Sequence, residues 1–225
     1  MAFPDFFEQV PSLTLCDPLA DMLGASTDGI LEYRYADAVR LAGHSCPTVA
    51  GAWLMASHAL LALYPDDTQG QKDFGESPRR LPERGNFCVE LRATQDAGTA
   101  GVVASVIGLI TGAAGEGGFK GIVGHQIRRD LLKFGVALDA DVRITRIDTG
   151  AAVLLDYKPE AVPPSPEMPA LMARVVGGVA DERERLQFAG LWQDRVRRIL
   201  LQHAADPALL MVRATYPDHD AMRRE

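Results

Sequence analysis

The chain is poor in the features that would assign it cheaply. It has three cysteines in 225 residues, Cys16, Cys46 and Cys88, an odd number and far apart, with no Cys-x-x-Cys pair. That excludes a self-contained four-cysteine zinc knuckle and argues against a disulfide framework. It has no excess of basic residues: the formal charge is -7 and the isoelectric point is near 5.3. A chain that holds nucleic acid by neutralising phosphates needs the opposite balance. Arg195, Arg197 and Arg198 form the nearest thing to a basic cluster, and their interleaving with apolar residues reads as the solvated face of a helix. Long apolar runs are also missing. The stretches from Val49 to Leu63 and from Val102 to Ala114 are broken by Ser57, His58, Ser105 and Thr111. Both are shorter than the roughly 20 residues a bilayer needs. They read as core helices, with no membrane partner. The start, Met1-Ala-Phe-Pro-Asp, has no basic stretch followed by an apolar run, so a cytoplasmic location is expected.

What is present describes an ordinary globular protein, with 47% hydrophobic and 24% charged residues. Residues 1–28 are punctuated by Pro4, Pro11, Pro18 and Gly24, which predicts an arm with short helical turns. Leu31, Tyr35 and Val39 share a helical face, and Gly43 stands where a left-handed cap would end that helix. Pro47 suits a first helical position, which makes Cys46 the N-cap of a nearly all-apolar helix over 47–64. Residues 65–85 predict a long exposed connection. Phe87, Val89 and Leu91 alternate with Cys88, Glu90 and Arg92 as in a half-buried strand. A second buried helix is expected over 101–114, a glycine-rich turn over 115–121, and a β-hairpin from Val142 to Tyr157. The expected architecture is α+β, a mixed or antiparallel sheet packed with buried helices. Its core, with the arm, spans 1–158, and five prolines in residues 159–169 make a linker. A C-terminal helical extension over 170–225 follows, in which Leu186, Phe188, Leu191, Trp192, Val196, Ile199 and Leu200 form one apolar stripe.

Gly43-His44-Ser45-Cys46-Pro47 carries the sharpest chemistry. A sulfur at a helix amino end faces unpaired N–H groups and the positive end of the helix dipole, and both favour the thiolate. His44, two residues upstream, supplies an imidazole, and an N,S pair suits zinc or another late transition metal. Cys46 and His44 are thus the candidate catalytic residues and the candidate metal ligands. His125, after the glycine-rich turn, is a candidate third ligand or proton carrier, and Lys120 within that turn a candidate anion contact. Cys88 reads first as a plain strand cysteine and His58 as a core histidine. Asp218-His219-Asp220 reads as a solvated tail.

Gly43 to Gly51 resembles the His-Gly-His-x-Cys-Pro-Gly signature of the FmdE family of formylmethanofuran dehydrogenase components, where the motif also opens a long helix. Val106 to Gly112, followed by Glu116-Gly-Gly-Phe119, is similar to that family's Thr-Gly segment, and Lys133 to Leu138 with the hairpin that follows resembles its closing strands. The likeness spans roughly residues 30 to 158. It implies a dimerising α+β core and a cavity in which the motif's His and Cys, here His44 and Cys46, hold a metal. Zinc stands first, with iron or haem as alternatives, and a homodimer and a small-molecule ligand are the expected partners, in redox or one-carbon metabolism. The chain departs from the pattern at Ala42, Ser105 and Ala113, where the family has histidine, aspartate and cysteine, and it has no cysteine after Cys88. A second reading is an enzyme that uses the Cys46 thiolate or a metal-bound water on a small molecule.

Overall fold

Phe87, Val89 and Leu91 project to one side of a strand and are all buried, and that apolar row is the floor on which the helices sit. The computed structural model describes residues 3–65 and 81–215. In chain order the elements are β1 (Leu13–Cys16), α1 (Pro18–Met22), β2 (Ile30–Tyr33), α2 (Tyr35–Ala42), α3 (Pro47–Leu63), β3 (Phe87–Leu91) and α4 (Ala100–Thr111). There follow β4 (Leu132–Lys133), β5 (Val142–Arg146), β6 (Ala152–Tyr157), α5 (Met168–Val176), α6 (Glu182–Arg197) and β7 (Leu210–Thr215). The fold is α+β. A five-stranded sheet runs β4-β3-β5-β6-β7, parallel at β3/β4 and antiparallel elsewhere, and β1 pairs with β2 in a separate antiparallel ribbon.

Register explains why one face is core. Val89 lies opposite Ile144, Ile144 opposite Val153, and Val142 opposite Leu155, and all five are buried. α3 covers this face and packs on β6, β7 and α4. Trp53, Met55, Val49 and Leu63 are buried on its different sides, as an all-apolar sequence requires. Each such large side chain contributes about 1.5–3 kcal/mol through burial. No helix among the described residues is long and apolar enough to cross a membrane.

Local signals for the α2–α3 region hold: Gly43 is left-handed at φ 76°, Cys46 is the N-cap of α3 and Pro47 its first residue. Four expectations are corrected. The arm contains a strand, β1, as well as helical turns, and Ile30–Tyr33, expected as the first turn of a helix, is its partner β2. The segment after the prolines is not only helical, because β7 completes the edge of the main sheet beside β6. Arg195 and Arg198 are not merely solvated: Arg195 donates to the carbonyls of Val162 and Pro159, and Arg198 to that of Pro163, so they tie α6 to the proline-rich segment. The 65–85 connection lies largely, and the Asp218–Asp220 tail wholly, outside the described residues.

A buried ion cluster fastens the ribbon to the core. Asp17, 3% exposed, accepts from Arg128 at 2.6 Å and from Arg84 at 2.8 Å, and also caps α1 through the N–H groups of Leu19 and Ala20. Gly85 makes room for it: at φ 93°, a Cβ there would fall 1.3 Å from Arg128 Nη1.

Candidate functional site

The turn between α2 and α3 is fixed from several directions. Left-handed Gly43 ends α2, and Cys46 then adopts an extended conformation (φ -150°, ψ 169°) from which its Sγ accepts the Val49 N–H at 3.5 Å. The Tyr35 hydroxyl lies 3.1 Å from Ser45 Oγ. From α6, Trp192 Nε1 and Gln193 Nε2 both donate to the Ser45 carbonyl, at 2.9 and 3.2 Å. The Tyr157 hydroxyl at the end of β6 donates to the Pro47 carbonyl at 2.7 Å. The His44 ring faces the Ala42 carbonyl through Nδ1 at 2.9 Å, which requires the proton on Nδ1 and leaves Nε2 as the free nitrogen.

Burial pushes the Tyr35 phenol far above its ordinary value near 10, against the opposing bond from Ser45, and it pushes Tyr157 the same way. Both phenols are therefore held neutral in the fold. Groups whose folded pKa is raised contribute stability that is complete below the unfolded value and is lost as pH rises past it. Denaturant midpoints are expected to fall above about pH 10, and a Tyr35→Phe/Tyr157→Phe variant should lose less over that range than the wild type. Equal alkaline losses would contradict this.

Beside the first turn of α3 lies a cavity of about 370 Å³. Met55, Leu91, Val103 and Val142 make its apolar wall, and Thr48, Thr99, Arg92, Asp141 and Tyr157 bring polar groups to it. The first turns of α3 and α4 both contribute, through Thr48 and Ala100, and neither turn carries an acidic residue. Arg92 forms an ion pair with Asp141, whose other oxygen accepts the Tyr157 N–H at 3.1 Å. Gly51 sets the position of the Tyr157 wall: a Cβ on it would lie 2.3 Å from the ring, so only glycine lets the ring rest on α3.

The other sequence candidates scatter. Cys46 is buried at 8% exposure and His44 is exposed, and neither lines the cavity. Among the described residues no three His, Cys, Asp or Glu side chains gather as a metal-holding group. His125 and Lys120 are exposed; His125 closes a two-residue turn with Ile122, whose tip has Val123 and Gly124 at positive φ, and neither residue lines the cavity. Cys88 lies beside Glu90, Lys133 and Arg143, and burial raises its thiol pKa. His58 Nε2 meets the Ala204 carbonyl at 2.9 Å, the satisfied histidine its place in the helix implied. Sequence reading missed Thr48 in α3, Arg92 just after β3, Asp141 just before β5 and Tyr157 at the end of β6, which have no shared motif.

No family model and no curated protein matches the chain. Among solved structures it is similar to a tungsten formylmethanofuran dehydrogenase FmdE-like protein from Syntrophus aciditrophicus. The two share 14% identity with a TM-score of 0.37, over 86% of this chain and 78% of the other.

Proposed function

We propose that the chain binds a small organic molecule in the cavity beside the first turn of α3. One observation carries this: the 370 Å³ space is lined by the apolar Met55, Leu91, Val103 and Val142 together with the polar Thr48, Arg92, Asp141 and Tyr157, the make-up of pockets that orient small ligands. The volume and lining fit a compact, mostly apolar molecule with one hydrogen-bonding end. Such a ligand stabilises the native state by mass action, by about 2.7 kcal/mol at a hundredfold excess over Kd. A thermal-shift screen of small acids, amides and alcohols should give hits on the wild type that vanish in Val103→Trp, which fills the cavity. Hits of equal size in both proteins, or none at all, would overturn the reading.

The orientation of His44 favours a second reading, in which the chain binds a transition metal or metallo-cofactor in redox or one-carbon metabolism. A metal-ligating histidine usually gives its other ring N–H to a carbonyl, as Nδ1 does to Ala42. Nε2 would then hold the metal, zinc first and iron or haem next, with Cys46 as the sulfur ligand or the attacking thiolate. Zinc takes three or four protein ligands. One chain gathers no such group among the described residues, so the remainder would come from a second copy in a homodimer. Elemental analysis of purified protein should then find metal in the wild type and not in His44→Ala. Equal content in the two, or none in either, excludes this reading.

A further inference from the structure

We infer that α6 is a latch over the Ser45–Cys46 segment, held shut by Trp192 and Gln193, and that its lifting opens the Cys46 thiol to reagents in solution. The two ends of α6 differ sharply. Val196 at its end, with Ile199 and Leu200 in the π-turn that follows, is sunk in the core. Toward its start Leu186 is 69% exposed, Ala189 and Gly190 are exposed, and a Cβ on Gly190 would meet nothing within 4 Å. That free half is fastened chiefly to α5, by Arg174 to Glu184 and Gln187 to Glu167, so the two helices form a hairpin. Between the anchored and the free end sit the two donors to the Ser45 carbonyl.

The closed state is not fully satisfied. Gln193 Oε1 is buried with no hydrogen-bond partner among the described residues, a desolvation cost that lifting relieves. Trp192 packs on the buried core and its indole donates to the carbonyl of Ser45, the residue before Cys46, so moving the indole frees the backbone next to the sulfur. Opening would work as a local event, because the free end gives up little buried surface and the anchored end stays in place. The device concerns the sulfur side of the α3 turn and is independent of what occupies the cavity.

Labelling with an aromatic disulfide reagent under native conditions tests it, on a Cys16→Ser/Cys88→Ser background in which Cys46 is the remaining thiol. Adding Trp192→Phe and Gln193→Ala should speed Cys46 labelling by about tenfold or more. A companion background, Cys16→Ser/Cys46→Ser, should show the Cys88 rate unchanged by the same pair. An unchanged Cys46 rate overturns the latch, and so does a parallel rise at Cys88, which would mean general loosening. Hydrogen exchange on the unmodified protein gives a second measure. Amides of residues 183–193 should exchange ahead of those of α3, and exchange of the two together also overturns it.

Discussion

Asp17→Ala is expected to lower stability by about 3–5 kcal/mol, the cost of leaving a buried charge without its partner. Arg128 is 5% exposed and Asp17 is the acceptor of its 2.6 Å bond, while Arg84 shares the same carboxylate. Without Asp17 two guanidinium groups face each other with no anion between them, and α1 loses its cap. For a chain of this size the melting temperature should drop by roughly 6–20 °C. Adding Arg128→Met should recover part of the loss, since the stranded charge goes with it. A single-variant loss under about 1 kcal/mol in urea unfolding would show the cluster to be far less buried in solution.

Gly51→Leu should be nearly as damaging and should also abolish ligand binding. Leucine is the better helix former by nearly 1 kcal/mol. That gain is overwhelmed because even its Cβ would lie 2.3 Å from the Tyr157 ring, 2.4 Å from its Cζ and 2.6 Å from its Cδ1. Overpacking of this kind costs about 1–3 kcal/mol, and more where the neighbour cannot move. Tyr157 is held by its bond to the Pro47 carbonyl and by its place in β6. If it yields, the cavity loses a wall and the α3 turn loses a tie. Paired with Tyr157→Ala the same substitution should be much milder, a non-additivity that unfolding curves read directly. Purely additive losses would place the ring elsewhere.

Features written into neighbouring residues were the legible ones. Gly43 as a left-handed cap, Cys46 and Pro47 opening α3, the alternation in β3 and the β5–β6 hairpin depend on interactions within a few residues. The failures share a cause. Leu31, Tyr35 and Val39 keep a four-residue spacing across a strand-to-helix junction, so β2 looks helical until its partner β1 is known. β7 is a strand because β6 lies beside it, its paired residues 53 (Tyr157 and Leu210) to 63 (Ala152 and Thr215) positions earlier. Arg128 meets Asp17 across 111 positions. The candidate site divides in the same way: the motif turn was visible, whereas the cavity exists only where the ends of β3 and β6 and the start of β5 meet the first turns of α3 and α4. His44 and Cys46, two residues apart, lie one at the surface and one inside, a separation set by the helices packed around the turn.

The cavity claim is tested most directly by amide chemical-shift mapping with a compound from the thermal screen. Shifts are expected at Thr48, Leu91, Arg92, Ala93, Ala97, Thr99, Ala100, Val103, Asp141, Val142 and Tyr157. Saturable shifts confined to another surface, with these amides unmoved, would contradict it.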